Sequence, residues 1–97
     1  MRKQINIISQ IGGTNTNAEG FALYTLVSEI FESGQSVDLS FKGCLGLSSS
    51  FLNSFLGELF DKYGVDYVTN LINMSNLLTS HKRALVKYVK DFKNHYA

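Results

Sequence analysis

The chain has 97 residues, 44% of them apolar, enough for one core without disulfide or metal staples and too few for a second domain. Nine basic and eight acidic residues leave a net charge of +1, so no global field draws the protein to nucleic acid or to an anionic membrane. The single cysteine, Cys44, has no partner for an internal disulfide, which fits a reducing compartment, and there is no cysteine cluster of the kind that holds a metal.

After Met1-Arg2-Lys3 the only apolar residues before Ile11 are Ile5, Ile7 and Ile8, too few and too interrupted for a signal peptide or a membrane span, so a cytoplasmic protein is expected. Residues 4–11 read as a first strand, with Ile5 and Ile7 on one face and Ile8 breaking the alternation; Gly12-Gly13 ends it. Gly12, Gly13 and Thr14 are candidate anion-binding residues, because main-chain amides leading into a helix can hold a negative group. The segment lacks both the Lys-Ser/Thr ending of a nucleotide loop and the spacing of a dinucleotide fold, and a plain strand-to-helix turn is the simpler reading. Thr16 and Glu19 have the spacing of a capping box ahead of a helix whose buried line is Leu23, Leu26, Val27, Ile30 and Phe31, with Gly34 as its stop. Gly20 in its first turns marks close backbone packing.

Val37 to Phe41 alternate apolar and polar residues as a second strand, broken by Lys42-Gly43. From Phe51 the apolar positions are Phe51, Leu52, Phe55, Leu56, Leu59, Phe60 and Tyr63, one wide helical stripe closed by Gly64 as a left-handed cap. Ser48, Ser49 and Ser50 precede it; one of them is expected to cap the helix, and the others lie at its positive end, where a phosphoryl group would be tolerated. Residues 65–72, with Val65, Tyr67, Val68, Leu71 and Ile72, read as a third strand, and Asn73 to Asn76 as a turn. Ser75 or Asn76 would cap a last helix with the apolar line Leu78, Leu85, Val89 and Phe92, Tyr88 beside it. Lys82, Arg83, Lys87, Lys90 and Lys93 crowd its other faces, either as a solvated surface or as one for an acidic partner. His81 falls on the buried line, as a half-buried histidine with one satisfied nitrogen; His95 lies in the last turn. A Cys44–His81 nucleophilic pair is the one catalytic combination available, since paired carboxylates, HExxH and CxxC are absent from the sequence.

Ser40-Phe41-Lys42-Gly43, a short loop, and Leu47-Ser48-Ser49-Ser50-Phe51-Leu52 opening a helix resemble the bacterial STAS-like domains of unknown function, best over residues 36–64. These are distant relatives of the STAS domains of anti-sigma factor antagonists, and on that register Ser49 matches the serine that a partner kinase phosphorylates. Ser40 stands where the family favours Asp, and Ser48 and Phe51 replace the Asp and Gly of the antagonist loop. The resemblance implies a regulatory, non-catalytic module without a cofactor. It would bind a protein partner, such as a kinase-like ATPase, through residues 43–55, with Gly43, Cys44, Ser48, Ser49, Ser50 and Asn53 as the contact residues.

The order βαβαβα predicts a single two-layer α/β domain over 1–97, with a small, mainly parallel sheet and helices on one face. An open sheet edge and an uncovered face would favour a homodimer or a bound partner. Two other functions compete with the regulatory module: a small-molecule or anion sensor, or small enzyme, using the same loop, and a phage or mobile-element inhibitor of a host complex.

Overall fold

Val37 and Leu39 are fully buried while Ser36, Asp38 and Ser40, which alternate with them, are half-buried, so this strand has one dry face and one wet one. A computed structural model describes residues 2–96, the side chain of Tyr96 apart, and places that strand, β2 (Ser36–Ser40), in the middle of a parallel sheet of order β1-β2-β3. Its neighbours are β1 (Arg2–Asn6), with Ile5 opposite Leu39, and β3 (Ile72–Ser75), with Met74 opposite Leu39. Residues in register share a face. The inner face therefore carries Ile5, Val37, Leu39, Ile72 and Met74, and the outer face Gln4, Asn6, Asp38, Ser40, Asn73 and Ser75. Arg2 crosses the outer face to Asp38 at 2.7 Å, and that hydrogen bond holds the Asp38 carboxyl below its usual range.

The helices cover the inner face. α1 (Ile7–Gln10) is a single turn, α2 (Asn17–Glu32) joins β1 to β2, and a helical run from Ser49 to Tyr63 follows β2. That run is α3 (Ser49–Leu52), a wider π segment (Asn53–Gly57) and α4 (Glu58–Tyr63). α5 (Val65–Leu71) and α6 (Thr79–Tyr96) flank β3. The capping box of α2 is complete: Glu19 N donates to Thr16 Oγ1 (3.1 Å) and Thr16 N to Glu19 Oε1 (3.1 Å). The expected stripes of α2 and of the central run pack against each other and against β2, with Leu23, Val27, Phe51, Phe55 and Leu59 wholly buried.

Several boundaries differ from the expectation, each for a physical reason. The first strand stops at Asn6, not at 11, because the Asn6 side chain accepts from Ser9 N (3.0 Å) and caps α1. The break in alternation at Ile8 is the trace of that turn: Ile7 is buried and Ile8 exposed. Residues 65–72 are not a strand but the helix α5 and the first residue of β3. Val65, Val68 and Leu71 recur every third residue, a helical spacing that outweighs the β-rich composition. Tyr67, on another side, stacks on Tyr63 at 5.3 Å.

Gly64 separates α4 from α5 with φ 89 and ψ 151; it is a positive-φ stop, but an extended one rather than the helical left-handed cap. Of the expected turn, Asn73, Met74 and Ser75 belong to β3 and Asn76, at φ 58, makes the turn. Neither Ser75 nor Asn76 caps α6: Ser75 Oγ donates to Leu39 O and Asn76 Nδ2 to Ser40 Oγ. The start of α6 is held by His81, whose Nδ1 accepts from Leu78 N (3.2 Å). His81 is wholly buried beside Phe41, not half-buried, and its Nε2 has no hydrogen-bond partner among the described residues; Leu78 is exposed rather than on the buried line.

Candidate functional site

In parallel α/β sheets the loops at the carboxyl ends of the strands gather on one edge. Here they are residues 11–16 after β1 and 41–48 after β2, and hydrogen bonds stitch them together. Thr14, 1% exposed, donates its hydroxyl to Gly46 O and accepts Ser48 N at its carbonyl (3.1 Å). Ser48 Oγ donates to Asn15 O (2.8 Å) and accepts Phe51 N (3.0 Å), so one hydroxyl both caps the central helix and ties it to the other loop. Cys44 N donates to Phe41 O (2.9 Å) past Gly43, which turns at φ 84. With both ends fixed, the loop holds Leu45 out at 84% exposure, the largest among the exposed large apolar side chains of the described residues. Ser49 and Ser50 are exposed at the open end of the helix that follows.

The predicted residues thus divide. Gly43, Cys44 and Ser48 share the loop, where Cys44 and Ser48 meet Thr14, and Ser49 and Ser50 open the helix that follows it. Asn53 turns the other way, its Oδ1 accepting the Tyr88 hydroxyl (3.0 Å), while its neighbour Ser54 donates to Asn17 Oδ1 (3.3 Å). Gly12 and Gly13 face the Glu19 carboxylate, whose Oε1 accepts both Asn15 N (3.0 Å) and Thr16 N (3.1 Å). The bond from Asn15 N chiefly holds the Glu19 carboxyl below its usual range, against a partial desolvation. The chain's own carboxylate therefore sits on these amides, and an external anion there would have to displace it.

Burial pushes the Cys44 thiol up, against a hydrogen bond with Thr14, and the Glu19 charge pushes the same way as burial. A buried, protonated thiol is a weak nucleophile. The groups that act on it are Thr14 and Glu19, whereas His81 is engaged with Leu78. Among the described residues no cluster of three or more His, Cys, Asp or Glu side chains could hold a metal ion, and no helix is long and apolar enough to cross a membrane. Sequence reasoning passed over Asn15, Glu19 as an internal anion, and Leu45. The signal for Leu45 was a leucine between Cys44 and Gly46, outside every apolar stripe.

Residues 19–82, about two thirds of the chain, match the family described as STAS-like domain of unknown function (DUF4325). The chain belongs to that family. The match begins in α2 and ends in the first turn of α6, so it takes in β2, the loop with Leu45, the serine triplet and β3. No curated protein and no solved structure matches the chain. The three-strand parallel sheet with its helices is consistent with a STAS-like fold.

Proposed function

We propose that this STAS-like domain is a non-catalytic regulatory module that binds a partner protein through residues 43–55, the partner being a kinase-like ATPase. The observation that carries this reading is Leu45, held in water by a loop whose two ends are tied to β2 and to the loop after β1. Exposing a leucine on a mobile loop costs little, but fixing it there has no benefit to the fold, whereas a pre-ordered apolar anchor loses little entropy when a partner covers it. Ser49 and Ser50, four and five residues after that anchor in the chain, are exposed and free of the capping duty that Ser48 performs, so a phosphate could be added without unfolding the helix. It would bring about −1.5 to −2 charges at neutral pH to the rim of the contact. The buried Cys44 thiol, and the Glu19 carboxylate that already occupies the Asn15 and Thr16 amides beyond the Gly12-Gly13 turn, favour this reading over a small enzyme or an anion sensor on the same loop.

The test is capture from the native cell, followed by mass spectrometry of residues 48–50 and calorimetry of the purified pair. Leu45→Ser should weaken the partner by about tenfold or more, as for an apolar anchor, and Ser49→Asp should change its affinity while the melting temperature stays put. Unchanged affinity in both variants, with no phosphate on the native serines, would refute the proposal.

A further inference from the structure

Among the described residues the sheet stops at β3 with no strand beyond it. Phe41 N donates to Ser75 O, which turns the main-chain groups of Ser75 and Asn73 toward β2 and those of Met74 toward the open side. Beside this edge a groove of about 560 Å3 runs between β3, α5 and α6, walled by Leu56, Phe60, Ile72, Met74, Leu85 and Val89. Ile72 and Met74 are only half-buried, and Val86 at the lip is 68% exposed. Lys90 and Lys93 also line the groove. They belong to a helix with five basic residues and one acid, Asp91, which is already bonded to Lys87 at 2.6 Å. No residue of the loop carrying Leu45 lines this groove.

We propose that this edge and groove dock an extended, acidic segment of a partner protein, which adds as a fourth strand beside β3. Its inward side chains would continue the row of Ile72 and Met74 and fall over the groove, while its main chain pairs with Met74. Its carboxylates would meet Lys90 and Lys93. The edge selects a strand over a helix, since a helix laid in the groove leaves the main-chain groups of Met74 unpaired. The charge selects a foreign partner over a second copy: pairing β3 with β3 would bring two basic α6 helices together, and like charges in contact oppose association.

The site is tested by selecting binders from a library of random ten-residue peptides on the full chain, then measuring the best peptide by hydrogen exchange and calorimetry. Enriched sequences should alternate apolar residues with Asp or Glu, and the peptide should protect the Met74 amide. The double variant Lys90→Glu, Lys93→Glu should lose about tenfold in affinity, the scale of reversing two charge pairs at a rim. Leu45→Ser should bind the peptide unchanged, which separates this site from the loop. Should the double variant fail to fold, raising salt on the wild-type chain should weaken the peptide in the same direction. An empty selection, peptides with helical apolar spacing, protection at residues 43–50 instead of Met74, or self-association through β3 in sedimentation would each overturn the proposal.

Discussion

Gly20→Ala inverts the usual effect of that substitution. In an ordinary helix interior alanine gains about 0.8–1 kcal/mol over glycine. Gly20, however, is buried on the face of α2 that meets the central run, and a Cβ there would lie 2.4 Å from Phe51 O and 2.9 Å from Ser54 Cβ. The first obstacle is main-chain carbonyl, which no rotamer change can move, so α2 and the start of the central helix must separate by most of an ångström. Overpacking costs roughly 1–3 kcal/mol, and against an immovable carbonyl the upper part of that range, about 2–3 kcal/mol, applies, which leaves a net loss of about 1–2 kcal/mol after the helix gain. At about 4–8 °C per kcal/mol for a domain of this size, the melting temperature should fall by about 5–15 °C. Thermal and urea unfolding of the variant measure this. A melting temperature at or above that of the wild type would mean that the two backbones do not touch at Gly20, and the packing of Phe51 and Ser54 against α2 would fall with it.

Two further outcomes follow from hydrogen bonds at the site. Ser48→Ala should lose about 0.5–2 kcal/mol in urea unfolding, as for an N-cap, whereas Ser49→Ala should stay within about 0.5 kcal/mol; equal losses would show that the cap is misassigned. Glu19→Gln keeps an acceptor for Asn15 N and Thr16 N but removes the charge. Because the folded chain holds the Glu19 carboxyl below its ordinary 4.5, the charge stabilises the protein above that pH, and the contribution is lost as pH falls through the lower folded value. The gap between wild type and variant should therefore be present near neutrality and close in acid; a gap that widens on acidification contradicts the assignment.

What the sequence conveyed best was periodicity over long stretches. The α2 stripe with its Thr16–Glu19 box, the alternation of β2 and the stripe from Phe51 to Tyr63 each have one dominant period, and each stands where that period put it. Short elements were read from composition, and composition misled. Val65, Tyr67 and Val68 favour strands in general, yet after Gly64 their spacing closes a helix, and β3 is Ile72–Ser75, three residues of which, Asn73 to Ser75, read as part of a turn. The π segment also left a trace. Phe51, Phe55, Leu59 and Tyr63 recur every four residues, and in a regular α-helix each such step overshoots the face by about 40°. A wider turn at Asn53–Gly57 rotates less per residue and returns Leu59 and Phe60 to the core side. The capping serine was legible as one of three; that Ser48 also reaches across to Asn15 was not, because nothing local connects residues thirty-three apart.

The outer face of the sheet governs how this domain can be built upon. Parallel sheets are ordinarily sandwiched between two sets of helices. On this one the second set has nothing to sit on, because Gln4, Asn6, Asp38, Ser40, Asn73 and Ser75 present only amides, hydroxyls and a carboxylate. Each such group, covered without a hydrogen-bonding partner, costs about 1–3 kcal/mol. A greasy surface laid across them would lose more than it gains, so the face repels stacking and confines any growth of the structure to the plane of the sheet, strand beside strand.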